Sequence, residues 1–470
     1  MAFPVRLVSE GRRMRGMSGR VPSRAADVVI VGAGLAGLAA ARALSDRHDV
    51  VVVEARNRVG GRTVGHTFAN GVTVEMGGQW IGPSHGALLA LLAELGLETF
   101  PTYDQGDGFT IVDGARHPWE DGFLGLSAQA EAEIGRLHGV IDELAQDVPV
   151  DAPWRSPNVS GLDRQSVESW LVQATTDPIA RRYLRVVTAA IFAAETHELP
   201  LLWFLFYVRS GGSLDVLIST SGGAQELRVV GGSHLVAEAM AASLPPESLI
   251  LDAPVDRVRQ TDDAVVVGYP GGEVAARRAI VTLPPALAGR IAYTPALPAD
   301  RDSLTRAFPM GSVIKFQVLY DEPWWRAQGL SGQVLSFDDP ISTTFDNSPP
   351  DGGSGVLLAF AEADHARRLG TLDERRRRET VMDCLHRFFG PPPTEALGFA
   401  ELDWSSEEFT GGCYGGRPAA GVLSSFGHAL RAPIGRIRWA GAETSPTSCG
   451  YMDGAVRSGL QAAAQVAAAL

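Results

Sequence analysis

Lys315 is the only lysine in this chain of 470 residues. Lysine and arginine together number 41, so arginine accounts for the other 40. Lys315 lies within MGSVIKFQVLY, residues 310–320, an apolar run with the character of a β-strand. An ammonium is compact and its pKa shifts readily on burial, whereas a guanidinium is broad and always charged. Composition alone leaves two interpretations of Lys315: a site that needs a compact ammonium, or a single lysine left by chance in an arginine-rich composition.

Two other uses of a single lysine fit the sequence less well. A lysine that forms a Schiff base with pyridoxal phosphate would leave the glycine motif described next without a purpose. A P-loop needs a lysine directly after its glycine loop, and the one lysine of this chain does not follow such a loop.

Three glycines with nucleotide-binding spacing follow the first predicted strand. Gly32, Gly34 and Gly37 form GxGxxG between the apolar run DVVIV and an Ala/Leu-rich helical segment. The first glycine permits a tight turn, the second lets the backbone approach a pyrophosphate, and the third allows close helix–strand packing. Glu54 ends the next strand, where a carboxylate can accept hydrogen bonds from ribose hydroxyls. These features predict a dinucleotide-binding unit.

Further motifs indicate which dinucleotide is bound. EARNRVGGRT places Gly60, Gly61 and Arg62 after the acidic residue, and MGGQWIGP follows at 76–83. DWSSEEFTGGCYGG and IRWAGAETSPTSCGYMDGAVRSG lie towards the C-terminus. In this order and spacing, the motifs resemble those of the flavin monoamine oxidase family over about residues 27–470. The resemblance implies FAD as cofactor and oxidation of an amine to an imine, which hydrolyses to an aldehyde or ketone plus ammonia while O2 becomes H2O2.

The resemblance also implies roles for individual residues. Tyr414 and Tyr451 match two tyrosines of an aromatic cage before the flavin, where parallel rings can orient a neutral amine and exclude water. Lys315 matches a lysine that points at flavin N5 through an ordered water. Cys413 matches a position of covalent attachment to the flavin 8α carbon, so covalent and non-covalent FAD both remain open. The other implied cofactor contacts are Arg62 at the pyrophosphate or flavin edge, Gly78, Gln79 and Met452 near the flavin, Trp404 beside its ring, Glu443 at the phosphate–ribose region and Val255 at the adenine end.

The substrate cavity is less well defined by sequence. By approximate alignment with the family, Ile218 and Thr343 occupy gating positions and Gln225 lies beside the substrate. None is acidic, which favours a monoamine with an apolar or aromatic body. A polyamine oxidase would place an acid in the channel, and an amino-acid oxidase would need a cation such as Arg209 or Arg326. A flavin oxidase that tailors a secondary metabolite and a non-catalytic flavoprotein that binds a partner are further alternatives.

Composition argues against several other classes of protein. The formal net charge of −13 disfavours nucleic-acid binding, which needs a basic face. Three widely spaced cysteines exclude a disulfide framework and a CxxC metal site, and no HExxH spacing occurs, so we expect no metal. The longest apolar run, LPLLWFLFYV at 199–208, is too short to span a bilayer. We expect a cytoplasmic protein without a membrane span, and a homodimer is left open.

The elements that would position these residues indicate an α/β fold. A Rossmann-type FAD-binding domain is assembled from three chain segments, 27–98, 228–302 and 405–470. An α+β substrate domain is inserted as 99–227 and 303–404, with helices at about 125–210 and 371–389 and strands at about 310–365. Residues 1–26 are Arg-rich, and no apolar export segment follows GRRMRG, so we predict a disordered N-terminal extension.

Overall fold

Two large β-sheets form the framework of the protein in a computed structural model that describes residues 23–119 and 123–470. The strands are β1 (Ser23–Val31), β2 (Val50–Val53), β3 (Gly65–Thr67), β4 (Thr73–Glu75), β5 (Thr99–Pro101), β6 (Asp107–Val112), β7 (Ala115–Pro118), β8 (Leu227–Val229), β9 (Leu249–Ile250), β10 (Arg257–Gln260), β11 (Val265–Tyr269), β12 (Gly272–Val281), β13 (Ala292–Thr294), β14 (Val313–Tyr320), β15 (Leu330–Ser336), β16 (Thr343–Asp346), β17 (Gly355–Glu362), β18 (Gly398–Asp403) and β19 (Ile437–Trp439). The α-helices are α1 (Leu35–Ser45), α2 (Gly86–Leu95), α3 (Ala128–Gln146), α4 (Val159–Arg164), α5 (Val167–Ala174), α6 (Pro178–Phe192), α7 (Leu201–Gly211), α8 (Leu214–Ile218), α9 (His234–Ala242), α10 (Pro285–Ala288), α11 (Ala299–Arg306), α12 (Ala363–Gly370), α13 (Glu374–Phe389), α14 (Val422–Phe426) and α15 (Met452–Ala467).

The first sheet carries the nucleotide-binding motif. Its order is β13-β10-β11-β12-β1-β2-β9, and β19 also pairs with β12. The central strand β1 runs parallel to both β12 and β2. Its residues Val28 and Ile30 pack with α1 and α15, whereas Val29 and Val31 pack against β10 and β11. Burial on both faces explains why this strand is a continuous apolar run rather than an alternating one.

The second sheet has the order β18-β14-β17-β16-β15-β6-β7, and most of its pairs are antiparallel. The neighbouring strands β14 and β17 are buried along their whole length. One face of the sheet packs against α13. Helices α3 to α8 contribute to a separate apolar cluster.

Apart from the first four residues of β1, the strands of each large sheet fall within the chain segments of one predicted domain, and the mixed α/β fold is as predicted. Helices α3 to α7 and α13 occupy the predicted helical regions, while β6, β7 and the β3–β4 hairpin were not predicted. The division into two domains and its boundaries stay a prediction.

The predicted N-terminal extension is too long by four residues. Strand β1 begins at Ser23, and residues 23–26 pair in parallel with residues 273–276 of β12. The long strand β12 extends past the apolar core of β1 and offers backbone partners to these residues, so pairing continues where the sequence loses its apolar character. The rest of the predicted extension, residues 1–22, lies outside the described residues.

Membrane-spanning helices and metal-binding clusters are both absent from the described residues. No helix there combines the length and apolar character needed to cross a membrane. No group of three or more histidine, cysteine, aspartate or glutamate side chains in the same residues is placed to hold a metal ion. Cys384, Cys413 and Cys449 are all buried and free.

Candidate active site

A cavity of about 570 Å³ is lined by residues of both sheets. Gly32, Glu54 and Val255 line what we call the nucleotide region. Lys315 and Tyr451 line the reaction region. Because one cavity includes both regions, a single elongated ligand can contact the glycine turn and the buried lysine together.

The glycine turn of the nucleotide region has little room for side chains, except where the cavity opens. Gly32 has a φ of +102°, a conformation that favours glycine. A Cβ on Gly37 would lie 2.0 Å from the Gly32 carbonyl oxygen, so α1 can approach the turn only without that side chain. A Cβ on Gly34 would meet no protein atom within 4 Å. Gly34 therefore keeps a space in the cavity free.

The acidic residue after β2 holds this turn in place. The Glu54 carboxylate accepts hydrogen bonds from the backbone N–H of Ala33 at 2.7 Å and of Arg56 at 3.0 Å. Helix α1 begins without a side-chain cap and without an acidic residue in its first turn. Its first residues, Leu35 and Ala36, line the cavity. Free N–H groups at a helix N-terminus are well suited to bind a phosphate.

Arg62 and Glu443 form a buried ion pair beside the cavity. The two guanidinium nitrogens of Arg62 donate to the Glu443 carboxylate at 2.6 and 3.0 Å, and one also donates to the Tyr414 carbonyl at 2.8 Å. Burial opposes ionisation of Glu443, but the charge and hydrogen bonds of Arg62 hold its pKa below the usual range. Arg62 is among the residues that line the cavity and Glu443 is not. Glu443 thus lies behind Arg62, which binds both of its carboxylate oxygens. Its contact with the cofactor stays a prediction.

Lys315 is buried in the reaction region and held by neutral acceptors. Its Nζ donates to the Gly77 carbonyl at 2.9 Å and to Oε1 of Gln79. The rings of Phe360 and Trp80 lie 5.5 and 5.9 Å from Nζ. Burial lowers the pKa of Lys315 to about 7, and the charge of Glu75 opposes this only in part. Near neutral pH this lysine can therefore gain or lose a proton.

A chain of buried amides behind Lys315 was not predicted from the sequence. Gln79 donates to Oδ1 of Asn347 at 2.8 Å, and Asn347 donates to Oε1 of Gln317 at 3.2 Å. Gln317 in turn donates to the Glu75 carbonyl at 2.9 Å. Each amide orientation is thereby set by its neighbour, so Gln79 presents its oxygen to the lysine. The sequence contains one indication of this chain of amides: Gln317 is a polar residue in an otherwise apolar strand, two residues after the single lysine.

Tyr414 and Tyr451 both line the cavity, and each is held by other aromatic rings. The ring of Phe360 lies 6.1 Å from that of Tyr414 at an interplanar angle of 79°. The rings of His85 and Tyr207 lie 5.0 and 5.9 Å from that of Tyr451. Burial raises the pKa of both cavity tyrosines, so each is a neutral phenol at physiological pH.

Glu362, at the end of β17, is an acid on the cavity wall that sequence reasoning missed. Its carboxylate accepts hydrogen bonds from Ser342, from Thr343 at 3.3 Å and from the Tyr414 hydroxyl at 3.4 Å. Only 1% of its surface is exposed. Burial raises the pKa of Glu362 to about 7, although the three hydroxyl donors oppose the change.

The other predicted flavin contacts gather around the same cavity. Cys413 is buried there, its N–H donates to the Gly311 carbonyl at 3.0 Å, and burial raises the pKa of its thiol to about 12. Trp404 donates its indole N–H to the Met76 carbonyl at 3.0 Å. The cavity lining also includes Gly78, Gln79, Val255 and Met452.

The predicted substrate residues Ile218, Gln225 and Thr343 line the cavity as well. Gln225 donates to the Leu217 carbonyl at 3.0 Å, and its buried Oε1 has no hydrogen-bond partner among the described residues. The two arginines considered for binding a substrate carboxylate are not part of the cavity lining. Arg209 is exposed, and Arg326 is bound to Asp346 at 2.7 and 3.0 Å.

Comparison with known proteins identifies the family. The family model for flavin containing amine oxidoreductases matches residues 35–467. The chain belongs to this family. A Mycobacterium tuberculosis protein named as a flavin-containing monoamine oxidase is 38% identical over 450 residues, which cover 96% of this chain and 98% of that protein. Flavin-containing amine oxidase B of Cavia porcellus is 34% identical over 446 residues, 94% of this chain and 86% of its own.

Solved structures of amine oxidases have the same fold. Putrescine oxidase bound to putrescine superposes with a TM-score of 0.91 at 33% identity, covering 95% of this chain and 100% of that one. Cyclohexylamine oxidase from Brevibacterium oxydans gives a TM-score of 0.91 at 34% identity, with 94% of this chain and 99% of that one covered. This amine oxidase therefore shares the architecture of its family along nearly its whole length.

The residues of the cavity fit FAD. Gly34 leaves space for a pyrophosphate, the first turn of α1 presents free N–H groups to it, and the cavity continues to Lys315 and the tyrosines. FAD bound there would supply the electron acceptor for oxidation of the amine and would be reoxidised by O2. The protein is thus an FAD-dependent amine oxidase, and the side chains of the cavity surround the space where the substrate would meet the flavin.

Proposed function

We propose that this amine oxidase acts on a primary amine with an apolar or aromatic body, bound between Tyr414 and Tyr451. The observation that carries the proposal is that both tyrosines, Lys315 and the glycine turn border one cavity. The surrounding wall is largely apolar and includes Val187, Ile191, Ile218, Leu335, Phe345 and Phe360. Such a wall favours a substrate with an apolar body and excludes water around the reacting nitrogen.

The side chains have distinct roles in this proposal. The rings of Tyr414 and Tyr451 orient the amine, and as neutral phenols they add no charge near it. An ammonium has three N–H groups, and Lys315 uses two of them on Gly77 and Gln79. The third is available to hold a water at the flavin edge, where O2 must react.

A diamine or polyamine is the second candidate substrate. The absence of an acid at Ile218, Gln225 and Thr343 favoured a monoamine, but Glu362 places a carboxylate on the cavity wall. The similarity to a putrescine oxidase bound to putrescine supports the same alternative. An amino acid is less well supported, because Arg209 and Arg326 are not part of the cavity lining.

The proposal is tested by anaerobic reduction of the purified yellow holoenzyme. Linear monoamines, arylalkylamines, diamines of matched chain length and amino acids are added separately, and loss of flavin absorbance is recorded. Reduction by monoamines at rates above those of the matched diamines supports the first candidate, and the reverse order supports the second. A flavin that no amine reduces would contradict the proposed activity and indicate a binding protein.

Covalent attachment of FAD through Cys413 is a separate proposal. The buried thiol borders the cavity and follows two glycines with positive φ, Gly411 and Gly412. We expect yellow colour to remain with the polypeptide after acid precipitation of wild-type protein, and to be released from Cys413→Ala. Wild-type protein that loses all its flavin in acid would show non-covalent binding.

The cellular location and the oligomeric state of the protein are two further parts of the proposal. We propose a cytoplasmic location, supported by three buried cysteines that are free in the described structure, since reducing compartments keep thiols unpaired. A homodimer is also proposed, and light scattering coupled to size-exclusion chromatography would distinguish it from a monomer.

A further inference from the structure

Among the described residues, Glu362 differs from the other buried acids in having only side-chain hydroxyls as hydrogen-bond donors. Four buried carboxylates form ion pairs with arginine, namely Glu75 with Arg228, Asp346 with Arg326, Glu443 with Arg62 and Asp453 with Arg457. Two more, Glu54 and Asp163, accept backbone N–H groups. Among the described residues, Glu362 has only hydroxyl donors and no lysine, arginine or histidine within 4.0 Å.

The titratable groups around Glu362 do not supply a cation either. Tyr414 is in contact and neutral. Lys315, on the adjacent strand β14, directs its Nζ to Gly77 and Gln79. On the following helix α12, Asp364 is paired with Arg367, and its N–H donates to Glu195. Ser342 and Thr343, from the neighbouring chain segment at β16, do not titrate.

The chemistry of the reaction supplies a cation. At neutral pH a simple aliphatic amine is an ammonium, as the lysine side chain is in water. Loss of hydride from its α-carbon needs the nitrogen lone pair, so one proton must leave the nitrogen first. In a cavity shielded from water an ion pair is costly, whereas a carboxylic acid beside a neutral amine carries no charge.

We propose that Glu362 receives the substrate's ammonium group in the cavity and accepts its proton. The N–H bond of the ammonium breaks and an O–H bond forms on the carboxylate, so the ion pair becomes a carboxylic acid and a neutral amine. No electrons are transferred in this step. The proton returns to solvent from Glu362 when the product leaves. This inference rests on the proposed amine-oxidising function and names a catalytic residue for it.

The surroundings of Glu362 suit both of its protonation states. The hydroxyls of Ser342, Thr343 and Tyr414 can donate to the carboxylate and can also accept from the carboxylic acid after rotation. A general base acts best when its pKa is near the working pH, and burial raises the pKa of Glu362 to about 7. Tyr414 joins the base to the aromatic cage, because its ring lines the cavity and its hydroxyl contacts Glu362.

The test is Glu362→Gln, measured as anaerobic flavin reduction in stopped flow between about pH 6 and 10. The wild-type second-order rate constant should rise through an apparent pKa near that of Glu362 and then stay level. In the variant only neutral amine can react, so the rate constant should fall about tenfold for each pH unit below the ammonium pKa. The loss is then about a hundredfold near pH 8 for an amine of pKa about 10, and small at pH 10.

An analogue of the same amine with two or three fluorines on the β-carbon, whose inductive effect leaves much of the nitrogen unprotonated near neutral pH, provides the matched substrate. Wild type and Glu362→Gln should reduce with this analogue at similar rates. Asp163→Asn is the matched control variant, because Asp163 is buried and does not line the cavity. It should keep the wild-type pH profile for both amines.

Each other outcome overturns the inference in a recognisable way. Equal losses at all pH values with both amines would mean that Glu362 is structural. Selective loss of diamines at every pH would mean that it binds a distal ammonium. A pH profile unchanged from wild type would mean that another group takes the proton, while amine oxidation itself stands. If no amine reduces wild-type flavin, the proposed function fails instead.

If Glu362→Gln does not give folded holoenzyme, the pH profiles of the wild-type enzyme with the two amines still test the proposal. Its rate constant should rise through the apparent pKa with the ordinary amine and show no such rise with the fluorinated one. A rise with both amines, or with neither, would overturn the proposal.

Discussion

Glu443 and Glu362 are both buried carboxylates near this cavity, but their surroundings differ. Glu443 lies in a charge-matched region, where it shares two hydrogen bonds with Arg62 and accepts the Gly416 N–H at 3.1 Å. Glu362 lies in an unmatched region, where three hydroxyls are its donors. The pKa is lowered for Glu443 and raised for Glu362. Burial raises the pKa of both carboxylates, so the presence or absence of an arginine partner decides whether the net shift is down or up.

Tyr414 connects the two regions. Its carbonyl oxygen accepts a hydrogen bond from Arg62 at 2.8 Å, while its hydroxyl lies 3.4 Å from Glu362. In a buried ion pair both charged groups already have partners, so neither is free to bind a ligand. Such a pair holds neighbouring chain segments together. An unmatched buried acid on a cavity wall is available to a cationic ligand. In our proposal, the Arg62–Glu443 pair positions the backbone of Tyr414, and Glu362 reacts with the substrate.

The largest effect is expected from breaking the matched pair. Arg62→Met leaves Glu443 as a buried charge without a partner, which costs about 3–5 kcal/mol in the free energy of unfolding. We expect a lower melting temperature and reduced FAD content. Arg257→Met is the control, because Arg257 forms an exposed pair with Asp256 whose loss should cost less than about 1 kcal/mol. Equal stability of the two variants would show that the buried pair is not structural.

The two carboxylates should affect stability with opposite dependence on pH. Glu362 has a raised pKa in the folded state, so wild-type stability should fall as the pH rises from about 4.5 to about 7. Glu362→Gln should therefore gain stability over wild type across this window, approaching about 3 kcal/mol.

Glu443 has a lowered pKa in the folded state. Its contribution is present above the unfolded-state pKa and is lost as the pH falls through the folded-state pKa. Glu443→Gln should thus be less stable than wild type near neutral pH, and the deficit should shrink in acid. Urea unfolding of both variants at several pH values measures the two trends, and trends of the same sign would contradict the comparison.

Removing a cage ring should have the next largest effect. Tyr414→Ala and Tyr451→Ala should each lower kcat/KM by about a hundredfold through misorientation of the substrate, with little change in the flavin spectrum. Tyr414→Phe keeps the ring and loses only the contact with Glu362, so its loss should be smaller. Tyr269→Ala, outside the cavity lining, serves as control. Unchanged amine kinetics in both alanine variants would remove the cage from this account.

A substitution of Lys315 is expected to have the smallest effect on flavin reduction by the amine. Like Glu362, Lys315 has no oppositely charged hydrogen-bond partner among the described residues. Lys315→Arg should slow anaerobic flavin reduction only modestly and slow reoxidation in air-saturated buffer more strongly. The broad guanidinium would displace a water held at the flavin edge, where O2 must react. Stopped-flow measurement separates the two half-reactions. Wild-type rates in both would mean that a single lysine in this chain has no functional meaning.

Several features could be read from the sequence because they depend on local rules. The turn at Gly32 needs positive φ, and α1 can pack on it only if Gly37 has no side chain. Such constraints act within a few residues and leave a recognisable spacing. The family motifs around Cys413 and Tyr451 are equally local, and the structure places all three of Lys315, Tyr414 and Tyr451 on one cavity.

Only the tertiary structure shows which partners the buried acids have. Strand β17 is buried on both faces, so its sequence GVLLAFAE contains no alternation that would show which side chains face the cavity. Whether a glutamate there meets an arginine or only hydroxyls depends on β16 and on the loop around Tyr414, which are distant in sequence. In the same way, Glu443 lies behind Arg62 because residues 381 positions apart form an ion pair. Which charges pair in a protein interior depends on packing between segments that are distant in sequence, so a local sequence pattern cannot predict it.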